Sequence, residues 1–271
     1  MLSVKNNTMA INASRHLGIS YDALTTSVER LSSGLRINGA KDDAAGLAVR
    51  ELMRADIAVL QQGARNASDG ISMLQTMEGA MGTIDEALVR MKQLSEQAVT
   101  GSYSSAQRAI MNNEFSEMAS EINRIAGATE FNGNTLLNSA TVSISIQFGV
   151  NTTDVVSLTG CDMTSSALGL SSASIDTVSN AQSALGTVTT AITTKDTARA
   201  MFGYKMNHLE RSISVINNQA ENLIAAESRI SDIDVATEMA AMTKTKVLAQ
   251  AGVSMLAQAY TVPQMALSLL R

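Results

Sequence analysis

The stretch "RLSSGLRINGAKDDAAGLAVRELMRA", Arg30 to Ala55, decides how the chain is read. A helical run of apolar residues stops at Asn38-Gly39, two adjacent aspartates follow, and a second helical run begins at once. Asn-Gly is a turn dipeptide. A carboxylate just ahead of a helix accepts hydrogen bonds from its free N–H groups and complements its dipole. Asp42 and Asp43 are therefore read as charging and capping a helix that starts near Ala44. As a cation site they are poor, because two adjacent carboxylates bring no further ligands. "GAKDDAAG" matches neither of the glycine patterns that cradle phosphates or dinucleotides. The stretch reads as punctuation between two long helices.

Working outward, the apolar residues keep the spacing of a helix pair. Leu17, Tyr21, Leu24, Val28, Leu31 and Leu35 alternate at steps of four and three. Met53, Ile57, Leu60, Ala64, Ala67, Ile71 and Leu74 continue the pattern, which runs on through Met77 to Met91 and weakens towards Ala98. A third run is Met111 to Ile125, and a fourth is Phe202 to Leu223. The last contains Val235, Met239, Met242, Ala249, Val253, Leu256 and Tyr260. A period near 3.5 held over several heptads predicts coiled-coil-like packing. The terminal partners expected are Leu17, Leu24, Val28, Leu31 and Leu35 with Met239, Met242, Val253 and Leu256.

The centre differs. Val142, Ile144, Ile146, Phe148 and Val150 alternate strictly, which predicts a half-buried strand, with a turn over Gly149 to Asp154 and a partner strand at Val155 to Leu158. "FNGN", Phe131 to Asn134, reads as a turn, and the Ser-rich Ser165 to Ser183 as an exposed connection. A second break is expected in "SRISDIDVATEM", where Asp232 and Asp234 mirror the first pair, with Arg36 and Arg229 as ion-pair partners. The expected fold is mainly α. It is an elongated helical rod in which N- and C-terminal helices pack as a coiled coil, plus a small β-hairpin region in the middle.

Composition narrows the function. Hydrophobic residues make up 45% of the chain but aromatics only 3%, and there is one proline, so long thin helical interfaces are favoured over a thick globular core. A net charge of −5 without basic blocks argues against nucleic acid. No apolar run reaches the ~18–20 residues that span a bilayer, so membrane insertion is not expected. The single cysteine, Cys161, excludes an intrachain disulfide. His16 and His208 stand on separate helical runs, and no catalytic or metal-ligating constellation accompanies them. No enzyme, metal or cofactor is read from these residues. With no cleavable signal peptide in view, the residues alone suggest a cytosolic protein. The Ala- and Met-rich stripes beyond the break bury too little in an isolated helix pair, and this implies assembly.

The motifs also carry a resemblance. "SVERLSSGLRINGAKDDAAGLAVRELMRA", "RNASDGISMLQTMEGAM", "EINRIAGATEFNGNTLL" and the final "VPQMALSLLR" resemble the signatures of bacterial flagellins, over about residues 1–138 and 190–271. The resemblance implies an extracellular helical filament used for swimming, built by self-assembly of a short flagellin without outer domains. It places an inner coiled-coil domain at 1–42 plus 236–271 and a rod domain at 43–235, with helices at about 43–128 and 178–230 and a β patch at about 131–177. It implies export, uncleaved and largely unfolded, through the flagellar type III channel, which replaces the cytosolic expectation with an extracellular one. The implied partners are a chaperone on the C-terminal helix and the filament cap and hook-junction proteins. Host Toll-like receptor 5 is a further one, read by Arg90 and Leu94 with Glu114 on the neighbouring helix. The hook–filament junction protein is the alternative within the same class, and a secreted binding module on the same scaffold is the alternative outside it.

Overall fold

The computed structural model describes residues 6–268, without the side chains of 262–264 and 266–268. The chain is mainly α. Its elements run α1 (Thr8–Ser33), α2 (Ala44–Val99), α3 (Ser105–Ala128), β1 (Glu130–Phe131), β2 (Asn134–Thr135), β3 (Ser143–Gln147), β4 (Val155–Thr159), α4 (Val178–Ser231) and α5 (Val235–Ser268). Two compact units divide the chain. One comprises Asp56–Glu221, and the other Met1–Ala55 with Asn222–Arg271. No helix among the described residues is long and apolar enough to cross a membrane.

The unit of residues 56–221 has a continuous core. Along α2 the buried positions are Leu74, Met77, Met81, Ile84, Leu88, Met91, Leu94 and Ala98, the stripe that the spacing of three and four predicts. Phe115 and Ile122 of α3 join them, with Ala184, Val188, Ala191, Phe202 and Leu209 of α4. Methionine suits such a core because its unbranched thioether fills irregular gaps. The helical span 43–128 is divided at 100–104, between the second and third apolar runs, where α3 starts from a capping box. Ser104 Oγ accepts from the Gln107 amide at 3.3 Å, and Gln107 Oε1 accepts from the Ser104 amide at 2.9 Å.

Two hairpins follow α3. In β1–β2 the turn residues Asn132 and Gly133 both have positive φ, +50° and +78°. This is the mirror-image turn that asparagine-glycine favours because its twist matches the strands. In β3–β4, Ile144 faces Leu158 and Ile146 faces Val156, so the predicted alternation lies on the core side. Gly63 of α2 lies directly against the Phe148 carbonyl, and a Cβ there would collide with it.

The Ser-rich connection is exposed over much of its length, including Ser166, Ser171 and Ser172, but it is anchored to the core at intervals. Ser165, Leu168, Leu170 and Ile175 are all buried. Two asparagines of α3 hold the segment down. Asn123 Oδ1 accepts from the Ser165 amide and Asn112 Oδ1 from the Ile175 amide, both at 2.8 Å. The three spaced apolar residues Leu168, Leu170 and Ile175 are drawn into the core because burying them is favourable, while the serines between stay at the surface. Cys161 is half-buried, and burial raises its thiol pKa above the ordinary value.

Across α2 and α4, Lys195 is only 2% exposed, bonded to Asp85 and, at 2.8 Å, to Asp196. One turn along α4, Arg199 lies 3.3 Å from Glu78.

Candidate assembly surfaces and the helix break

Within the other unit, α1 ends earlier than the apolar spacing suggests. Gly34 takes the left-handed conformation at φ +72° and donates its amide to Arg30 O at 2.9 Å, a glycine C-cap. Leu35 is therefore not a coiled-coil position. It forms an isolated antiparallel bridge with Asp232 instead. Around that bridge the Arg36 amide donates to Ser231 O at 2.6 Å, and the Ile233 amide donates to Gly34 O at 3.1 Å. The two chain breaks are thus stitched together through their backbones.

The aspartates divide the remaining work. Asp43 Oδ1 accepts from the Gly46 amide at 2.9 Å and so caps α2. Asp42 Oδ2 accepts from the amides of Asn38 and Gly39 at 3.1 and 3.2 Å and closes the turn, while its other oxygen lies 4.0 Å from Arg30. On the return strand Asp234 caps α5. Its oxygens accept from the Ala236 amide at 3.0 Å and the Thr237 hydroxyl at 2.5 Å. These bonds, the Thr237 hydroxyl foremost, hold its pKa below the ordinary carboxylate value. Asp232 accepts from Ser228 Oγ at 2.6 Å.

The expected ion pairs are not formed. Arg36 instead donates its guanidinium to Ile230 O at 2.6 Å, and no pair joins Arg229 to Asp232 or Asp234. The reason is local: each aspartate already has backbone or hydroxyl donors within reach, which satisfy it without freezing a long arginine side chain. Arg50 was missed. It is 7% exposed and donates to Ile37 O at 2.7 Å and to Glu51 at 2.8 Å, pinning the loop from the far side. Its signal was an arginine one turn into a run of small and apolar residues.

The α1–α5 pair packs through a narrow seam. Ala10, Leu17, Leu24, Ser27 and Leu31 of α1, with Met242, Thr245, Ala249, Gly252, Leu256 and Ala259 of α5, are buried or half-buried. Many of these are small, so the backbones approach closely. A Cβ added at Gly252 would lie 3.1 Å from Leu17 Cδ1. Asn7 Nδ2 donates to Ala259 O at 2.7 Å and ties the far end. Besides Leu35, three of the expected packing residues lie outside the seam: Val28 is 50% exposed, Val253 48% and Met239 45%. Met9, Ile11, Ile19, Leu248 and Met255 are exposed as well. The seam combines Leu17, Leu24, Leu31, Met242 and Leu256 of the expected stripe with small residues such as Ala10, Ser27, Gly252 and Ala259, whereas Val28, Met239 and Val253 fall outside it.

On α2 and α3, Arg90 Nε and Nη2 both bond Glu114 Oε1 at 2.7 Å, half-exposed on each side. Glu114 holds Arg90 firmly protonated, above its ordinary pKa. Leu94 does not join this surface. At 1% exposed it belongs to the core stripe with Met91 and Ala98, whereas Arg90 lies just off the stripe's edge. A helix separation of four residues brings side chains near each other but does not place both on one side of a burial boundary.

The family pattern described as the bacterial flagellin N-terminal helical region matches residues 4–141, and that of the C-terminal helical region matches 185–270. The chain is 41% identical over 270 residues to the flagellin of Halalkalibacterium halodurans, covering 99% of each chain. It is 38% identical over 304 residues to the flagellin of Bacillus subtilis, covering all of both. Among solved structures, the crystal structure of Bacillus cereus flagellin superposes with a TM-score of 0.52 at 31% identity, over 60% of this chain and 94% of that one.

Proposed function

We infer the assembly mode of this protein from one premise: the chain belongs to the bacterial flagellin family and is a structural subunit of a flagellar filament. The proposal is that subunits join through the faces of α1 and α5 that the α1–α5 seam leaves open. One observation carries it. The apolar surface of α5 is wider than its seam, with Met242, Ala249 and Leu256 turned to the seam and Met239, Val253, Leu248 and Met255 exposed to either side of it. An apolar surface wider than the partner helix covers calls for a further contact, and a second copy of the same chain supplies one in a polymer. The proposed division is the one the motifs imply, an inner domain of 1–42 plus 236–271 and a rod domain of 43–235.

The same faces require management before assembly. The proposal therefore includes export through the flagellar type III channel to the cell exterior, a chaperone covering α5 on the way, and cap and hook-junction proteins at the filament ends. Recognition by Toll-like receptor 5 is proposed at the Arg90–Glu114 pair, without Leu94.

The test is electron microscopy of the purified chain after addition of ammonium sulfate and filament seeds, beside a truncation lacking residues 236–271. Filaments from the full chain and none from the truncation are expected. Filaments of equal length from both would remove α5 from the contact, and none from either would remove self-assembly through these helices.

A further inference from the structure

The methionines of this chain are segregated. Met73, Met77, Met81, Met91 and Met163, all in the unit of residues 56–221, are at most 3% exposed. Met111, Met118, Met201 and Met206 are half-buried. Among the described residues, the methionines that are exposed all stand on the terminal helices: Met9 on α1 at 66%, Met239, Met255 and Met265 on α5 at 45%, 63% and 55%. The thioethers open to solvent therefore coincide with the faces assigned above to subunit contact.

We propose that Met9, Met239 and Met255 make the free subunit sensitive to peroxide, and that their oxidation blocks its incorporation into a filament that, once formed, shields the same three residues. The proposal rests on the reading that α1 and α5 join subunits. In the reaction the methionine sulfur attacks one oxygen of hydrogen peroxide. The O–O bond breaks, a sulfur–oxygen bond forms, and the second oxygen leaves as water after proton transfer. Sulfur loses two electrons and the peroxide gains them. The product sulfoxide is polar and chiral in place of a flexible apolar group. On an exposed face this costs the isolated subunit little. In a closed contact the sulfoxide must be desolvated, and about 1.4 kcal/mol per position corresponds to a tenfold loss of affinity.

The competing thiol is Cys161. It is half-buried and its pKa is raised, so little of the reactive thiolate is present at neutral pH. A Cys161→Ser background removes it from consideration.

The experiment treats Cys161→Ser subunits and preformed Cys161→Ser filaments with equal hydrogen peroxide, then maps added oxygen by peptide mass spectrometry and measures seeded elongation. Oxygen is expected on Met9, Met239 and Met255 of the free subunit but not of the filament. The oxidised subunit is expected to need roughly a thousandfold higher concentration to elongate seeds, the product of about tenfold at each of three positions. The triple variant M9L/M239L/M255L should elongate seeds at the same rate before and after peroxide treatment.

Equal oxidation of the three residues in subunit and filament would overturn the shielding. Unimpaired elongation by the oxidised subunit, or a triple variant still disabled by peroxide, would overturn the block. Untreated subunits that form no filament at all would instead sink the assembly reading beneath the proposal.

Discussion

The core of residues 56–221 and the α1–α5 pair obey the same spacing rule and put it to opposite uses. In the core, large side chains at steps of three and four point inward, so Met81, Leu88 and Phe115 are at most 1% exposed. Along α1 and α5 the inward positions include Ala10, Ser27, Ala249 and Gly252, while Val28, Met239 and Val253 point out. The first region is finished as a single chain. The second leaves apolar side chains on its outer faces, the surface proposed above to meet the next subunit.

The largest expected effect comes from breaking the finished region. Phe115→Ala should destabilise the subunit by about 3–5 kcal/mol, through lost burial and the cavity left behind. Urea unfolding followed by circular dichroism measures it, and a loss below about 1 kcal/mol would show that the core is not closed. Next comes the buried lysine. Asp85→Ala leaves the Lys195 ammonium with Asp196 as its one carboxylate and should cost about 1–2 kcal/mol, lessened by that partner and because Asp85 is itself one-third exposed, whereas Lys195→Met should be nearly neutral. Equal losses from the two variants would contradict the view that the pair is a compensated burial and not a source of stability.

In the α1–α5 pair the effects move from stability to assembly. Gly252→Val pushes against Leu17 and should lower the stability of that helix pair by about 1–2 kcal/mol while abolishing elongation. The smallest effect is a fraying one. Asp234 has a depressed pKa in the folded chain, so its stabilisation is complete above the ordinary carboxylate range and disappears as pH falls through the lowered value. Hydrogen exchange at the Ala236 and Thr237 amides should speed up in acid beyond the intrinsic rate change, and Asp234→Ala should show the faster exchange already at neutral pH. An α5 first turn equally protected in both proteins would remove the cap.

How much was legible in the sequence follows from the same contrast. The helical runs, the β3–β4 hairpin, the turn at Phe131 to Asn134 and the break before Ala44 could be read because periodicity and turn dipeptides are local signals. Asp43 as a cap was equally local. Two things were hidden because they depend on distant partners. The phase of the α1–α5 seam depends on which face of each helix the other can approach closely, and small residues permit that better than the conspicuous Val28 and Val253. The anchoring of 165–177 depends on Asn112 and Asn123, whose side chains look like ordinary surface on α3. Leu94 was placed beside Arg90 by position alone, although its membership of the stripe with Met91 and Ala98 was already visible.

The most direct test is the double variant Val28→Asp/Val253→Asp, measured by urea unfolding of the subunit and by seeded elongation under the microscope. The account predicts an unfolding midpoint within about 0.5 kcal/mol of the unaltered chain, since both side chains are half-exposed, together with no elongation. A variant that elongates like the original, or one that no longer folds, would contradict it.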